Sequence, residues 1–207
     1  MDLSLYVITD EKIGLGRSHL FLAEEALKGG ASVIQLRDKE KSSRELYRIG
    51  LTMREITRRY RALLIINDRL DIALGVGADG VHLGSEDLPV SVARRIAGKN
   101  FIIGASVTSV EEAIVAQREG ADYISAQSIF PTSSKEDVIV IGLQGLREIV
   151  KAVSLPVIAI GGINLENAKE VLRYGAKGVA VISSVVARED VKEAAASLKK
   201  IIEEASG

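Results

Sequence analysis

Gly77-Ala78-Asp79-Gly80-Val81 is one of four copies of a short phrase: Gly-Ala, two residues, then an apolar one. The others are Gly30-Ala31-Ser32-Val33-Ile34, Gly120-Ala121-Asp122-Tyr123-Ile124 and Gly175-Ala176-Lys177-Gly178-Val179. Each copy follows a segment of helical period and precedes a β-branched run. Glycine there suits the left-handed position that closes a helix, and alanine lets the helix lie close on a sheet. The copies are 47, 43 and 55 residues apart. Each interval is about twice the length of one strand–helix unit, so the four double units predict eight strands and eight helices. The longest interval contains a polar insertion, residues 131–138, which reads as a functional loop.

Strands are expected at Leu5–Thr9, Val33–Leu36, Leu63–Ile66, Gly80–Leu83, Ile102–Ala105, Tyr123–Ala126, Val157–Ile160 and Val179–Ile182. Between them apolar residues recur three and four apart, as in Leu22, Ala23, Ala26 and Leu27 or Leu146, Ile149, Val150 and Val153. The strands are apolar on both faces, as a parallel sheet buried under helices requires. Eight such units in 207 residues fit an α/β fold, a single-domain (β/α)8 (TIM) barrel over residues 1–207, better than an open doubly wound sheet.

Composition narrows the chemistry. The chain carries 27 Lys+Arg against 28 Asp+Glu, so no basic surplus points to nucleic acid. The absence of cysteine excludes a disulfide framework, a thiolate metal site and a cysteine nucleophile. Apolar runs are only a few residues long, against the roughly 18 needed to span a membrane. Met1-Asp2-Leu3-Ser4 lacks the pattern of a signal peptide. A cytoplasmic protein is expected, without nucleic-acid or membrane partners. Self-association into a homo-oligomer is left open.

Barrels of this kind place their reacting groups on the loops after the strands. After the second strand comes Gln35-Leu36-Arg37-Asp38-Lys39, in which alternate residues Gln35, Arg37 and Lys39 can face the mouth and suit a phosphate or diphosphate. A solvated charge cluster is the competing account. After the third strand comes Asn67-Asp68-Arg69, and after the fourth Gly84-Ser85-Glu86-Asp87. Asp68 and Asp87 can converge there, and two carboxylates without histidine or cysteine favour a hard cation such as Mg²⁺. Alternatively each caps a helix. Ser106 follows the fifth strand and either faces the mouth or caps the next helix. Thr132, Ser133, Ser134 and Lys135 lie in the polar insertion and could grip an anion. Gly161-Gly162-Ile163-Asn164 and Ile182-Ser183-Ser184 follow the last two strands, where this fold commonly holds a phosphate. An ordinary tight turn is the alternative. Of the two histidines, His19 is expected at the surface and His82 inside the barrel.

In their order and spacing these segments resemble the thiamine-phosphate synthase family over essentially the whole chain. The matching pieces include Tyr6–Asp10, Gln35–Lys39, Asn67-Asp68-Arg69, Gly77–Leu88, Gly104–Val107, Ile129–Thr132, Lys135, Ile160–Ile163 and Gly178–Ser183. The resemblance implies coupling of a hydroxymethylpyrimidine diphosphate to a thiazole phosphate, with diphosphate released. It implies that Gln35, Leu36, Arg37, Asp38, Lys39 and Asn67, with Ser106 and Lys135, hold the pyrimidine diphosphate. Asp68 and Asp87 would hold Mg²⁺. Thr132, Ser133, Ser134, Gly162, Ile182 and Ser183 would hold the thiazole phosphate, and Lys135, Ser106 and Arg37 would serve catalysis.

The chain departs from the family pattern in the sixth strand. Ser125-Ala126-Gln127-Ser128 stands where the family is usually glycine-rich, and Gln127 is expected to face the mouth because burying its amide without partners is costly. Thr132-Ser133-Ser134-Lys135 replaces Thr-x-Thr-Lys and keeps the hydroxyl. The related thiazole tautomerases use a histidine where this chain has Ser128, and lack the paired carboxylates. A non-catalytic phosphate-ligand barrel and the phosphate-binding barrels of tryptophan or histidine biosynthesis are further alternatives. The last do not account for the Asp pair beside Gln35–Lys39.

Overall fold

Parallel pairing runs round the molecule in chain order, and the last strand returns to the first to close the barrel. The computed structural model describes residues 1–131 and 139–206. The strands are β1 (Leu5–Thr9), β2 (Val33–Leu36), β3 (Leu63–Asn67), β4 (Gly80–Leu83), β5 (Ile102–Val107), β6 (Tyr123–Gln127), β7 (Val157–Ile160) and β8 (Gly178–Val181). The helices are α1 (His19–Lys28), α2 (Ser43–Arg59), α3 (Leu70–Val76), α4 (Val90–Ala97), α5 (Val110–Glu119), α6 (Gly142–Ala152), α7 (Ala168–Arg173), α8 (Ser183–Val186) and α9 (Val191–Ser206). The (β/α)8 expectation holds, with three corrections. β8 lies one residue earlier than expected, because Gly178 already pairs with Ile158. Strands β3, β5 and β6 run further than expected because Asn67, Val107 and Gln127 still pair with His82, Ala126 and Ile160. Among the described residues there are also nine helices rather than eight. The extra one, α8, is a single turn between β8 and the closing helix.

The repeated phrase works as its composition suggests. Gly30, Gly77, Gly120 and Gly175 have φ of 91°, 65°, 99° and 103°, and the four alanines after them are buried. Its third position adds a tie that the two-residue pattern did not reveal. Asp79 accepts from the Leu64 amide and pairs bidentately with Arg54 of α2. Asp122 likewise accepts from the Ile103 amide and from Arg94 of α4, here through a single guanidinium nitrogen.

Alternation along the strands separates two packing regions. One set of side chains, including Val7, Ile34, Leu36, Leu64 and Ile66, lies between strands and helices. The inner set comprises Tyr6, Ile8, Val33, Ile65, Tyr123, Ile158 and Ala180. Such a barrel is a packed core, not a pore. The inward Gly104 shows how tight the packing is, since a β-carbon there would lie 2.0 Å from the Tyr123 ring.

Candidate active site

A buried line of polar groups rises through this interior. Gln35 Nε2 donates to Tyr6 Oη at 2.7 Å, and Tyr6 and Tyr123 hydroxyls meet at 2.9 Å. Tyr123 Oη lies 2.9 Å from His82 Nδ1, and His82 Nε2 lies 2.9 Å from Ser106 Oγ. One set of directions satisfies every member. Tyr6 accepts from Gln35 and donates to Tyr123, Tyr123 donates to Nδ1, and Nε2–H donates to Ser106. Gln127 Nε2 also donates to Ser106 Oγ, so with these directions the serine oxygen accepts twice and its own proton is not used within the line. Burial pushes the phenols of both Tyr6 and Tyr123 upward, so they remain proton carriers rather than anions. Ser106 therefore faces the mouth rather than capping α5, whose cap is Ser109. Gln127 faces the mouth, as expected.

Above this line lies a cavity of about 300 Å³ bordered by Arg37, Lys39, Asn67, Asp68, Asp87 and Ser106. Asp68 and Asp87 converge within hydrogen-bonding reach of each other. Burial and the neighbouring Asp87 push the Asp68 carboxyl up to about 6, against the pull of Lys39 and Arg37. Neither residue caps a helix: the N-cap positions of α3 and α4 are Arg69 and Pro89, and neither helix has a side-chain cap. Asp68 has φ of 61°, a left-handed conformation that Asp tolerates better than most residues. Its amide donates to the His82 carbonyl at 2.8 Å, which seats it beside the end of β4. Asp87 is turned inward by accepting from the Gly84 amide at 2.6 Å. A pair of adjacent carboxylates with unbalanced charge and no soft ligand fits a hard divalent cation.

The β2 segment divides. Gln35, Arg37 and Lys39 border the cavity, and Arg37 is steadied by Asp10 at 2.7 Å. Leu36 does not face it, because alternation sends its side chain into the core under the helices. Asp38 is also turned away. It accepts from His19 Nε2 at 3.0 Å, from Lys41, and from the Glu40 and Lys41 amides. Burial alone would raise its carboxyl, but these donors hold it far below the usual carboxylate range. His19 is not a surface residue: it is 1% exposed, with Nδ1 2.8 Å from Thr9 Oγ1. It was misread because the first residue of an amphipathic helix is ordinarily solvated, whereas this one faces the end of β1. Glu11, His19 and Asp38 could be taken for metal ligands, but the Lys41 ammonium already bonds Glu11 at 2.6 Å and Asp38 at 3.1 Å.

A second cavity, of about 460 Å³, adjoins the first and shares Arg37, Gln127, Ile160, Ala180 and Ile182 with it. Gly161, Gly162, Ser183, Ser184 and Arg188 are among the residues that line the rest of it. Gly161 and Gly162 have φ of 103° and 63°, and a β-carbon on Gly162 would meet the Pro131 carbonyl at 2.5 Å. Only glycine lets this turn lie flat against the loop. Thr132, Ser133, Ser134 and Lys135 lie outside the described residues.

Residue-by-residue reading passed over Tyr6, Tyr123 and Asp10. Extending the alternation used at Gln35 to β1 and β6 would have brought in both tyrosines. Nothing local marks Asp10.

The family model described as thiamine monophosphate synthase matches residues 5–185. The chain belongs to this family. A thiamine-phosphate synthase of Pyrococcus furiosus is 55% identical over 99% of this chain and 97% of its own length. One of Methanospirillum hungatei is 52% identical over 96% of each chain. A solved thiamine phosphate pyrophosphorylase from Pyrococcus furiosus superposes with a TM-score of 0.93 at 53% identity, covering 100% of this chain and 98% of that one. Membership of the thiamine monophosphate synthase family makes the chain an enzyme, a transferase of thiamine biosynthesis.

Proposed function

We propose that the barrel mouth joins a hydroxymethylpyrimidine diphosphate to a thiazole phosphate, giving thiamine phosphate and diphosphate. One observation carries this assignment: two cavities, each with groups suited to an anion, share a wall at Arg37, Gln127 and Ile160. Two phosphorylated substrates can lie side by side there.

The first cavity suits the pyrimidine diphosphate, with its ring over the Tyr6–His82–Ser106 line and its diphosphate toward Arg37, Lys39 and Asn67. The bond from the pyrimidine methylene to oxygen breaks, its electron pair leaving with diphosphate. The 4-amino group stabilises the resulting cation, and the thiazole nitrogen attacks it. No strong base is required. Asp68 and Asp87 would hold Mg²⁺, which when bound supplies positive charge for the leaving diphosphate. Arg37 and Lys39, with Lys135 from the loop, stabilise the same developing charge. Ser106 donates its remaining proton to the pyrimidine diphosphate. The second cavity holds the thiazole phosphate at Gly162, Ile182 and Ser183, and the family resemblance assigns Thr132, Ser133 and Ser134 to the same substrate.

Purified protein given both substrates, with and without Mg²⁺, tests this. Thiamine phosphate and diphosphate are expected in equal amounts, only with both substrates and only with the metal. Turnover undiminished by a chelator would remove the metal assignment. No product from the complete mixture would remove the reaction.

A further inference from the structure

Arg17 lies outside both cavities, yet its guanidinium makes four hydrogen bonds to backbone carbonyls. Nε donates to Gly14 at 2.8 Å, Nη1 to Glu189 at 3.1 Å, and Nη2 to Val186 and Arg188 at 2.7 Å each. Three of these acceptors lie about 170 residues further along the chain, at the end of α8 and just beyond it. The Phe21 ring lies 6.0 Å from the guanidinium carbon. The segment so gripped, residues 186–189, continues directly from Ile182, Ser183 and Ser184 on one wall of the second cavity, and Arg188 within it is a cation on that wall. Such carbonyls otherwise face water, and a planar fork of five donors can satisfy several at once where a lysine ammonium cannot.

The loop that carries Arg17 is itself tied to the first cavity. Asp10, at its other end, holds Arg37, and the tight turn between is closed by Gly14 to Asp10 and Gly16 to Glu11 hydrogen bonds of 2.8 Å each.

We propose that Arg17 is a positioning residue for the second anion site, and that Arg188, whose backbone it ties down, is a further phosphate-binding cation there. This rests on assigning the second cavity to the thiazole phosphate. Arg17 touches no substrate; it fixes the backbone from which Arg188 reaches the anion. Selectivity for the phosphorylated thiazole over its free alcohol follows, since the alcohol has no use for either arginine.

The test uses Arg188→Met, Arg17→Met, Arg17→Lys and the Arg17→Met/Arg188→Met pair, with inorganic phosphate as a probe competing against thiazole phosphate. Losing one charge-assisted hydrogen bond should raise the KM for thiazole phosphate and the Ki for phosphate by about tenfold in either Met variant. The KM for pyrimidine diphosphate should stay within about twofold, and the pair should cost little more than one change alone, because Arg17 acts through Arg188. Arg17→Lys should recover the fold but only part of the affinity. A lower melting temperature with both KM values unchanged in Arg17→Lys, or an unaltered phosphate Ki in Arg188→Met, overturns the proposal. Phosphate that competes only with pyrimidine diphosphate in the unaltered enzyme overturns it differently, by removing the cavity assignment beneath it.

Discussion

Asp68 is poised against itself. Without a metal its carboxyl ionises at about 6 in the folded protein, against 3.8 as the ordinary value, because burial and Asp87 disfavour its charge. An acid whose pKa is raised on folding lowers stability as pH rises from the unfolded value through the folded one. The metal-free enzyme should therefore lose stability between about pH 4 and 6 through this group, and Mg²⁺ should bind more tightly above pH 6 than below. Asp68→Asn should abolish turnover and at the same time raise the melting temperature of the chelated protein at neutral pH. Melting curves with chelator on either side of pH 6 check the first effect, and steady-state assays check the second. An Asn variant less stable than the parent at neutral pH would show that Asp68 is held by favourable contacts rather than repelled.

At the scale of elements, β5 and β6 meet through Gly104 and Tyr123, with no space for a methyl group between them. Gly104→Ala should cost about 1–3 kcal/mol by overpacking, read from chemical denaturation. The double change Gly104→Ala/Tyr123→Leu should then cost less than the sum of the two single changes. Strict additivity would mean that the ring moves aside freely. The strands themselves were legible in the sequence, since the Gly-Ala pairs mark the starts of β2, β4, β6 and β8, and short apolar runs between segments of helical period mark the other four. Strand ends were less so: whether Asn67 or Gln127 still pairs depends on how far the neighbouring strand extends, which no local window contains. Alternation placed Gln35 and Arg37 correctly, the cost of burying an amide placed Gln127, and alternation also excludes Leu36, which the family motif carried in as part of a block.

Across the whole molecule, what the sequence concealed is what barrel closure creates. The carboxylate pair was legible because Asp68 and Asp87 follow neighbouring strands. The His19–Asp38 contact was not, nor was the Arg17 grip on residues 186–189, because each depends on β1 lying between β2 and β8. A charged residue in a loop looks solvated until the ring shuts and brings a distant backbone to it.

The buried phenols give the closed barrel an optical signature. The chain has no tryptophan and five tyrosines, so its near-ultraviolet absorbance reports tyrosine almost alone. Tyr6 and Tyr123 are 1% and 0% exposed and both resist ionisation. In an alkaline titration of the native enzyme followed by phenolate absorbance, two of the five rings should stay silent at pH values where exposed phenols, with pKa about 10, have ionised. They should appear together, in one step, when the barrel opens. A native titration that already accounts for all five would mean that hydroxide reaches the interior. The same silent pair, of which Tyr6 borders the first cavity, offers a label-free clock for unfolding.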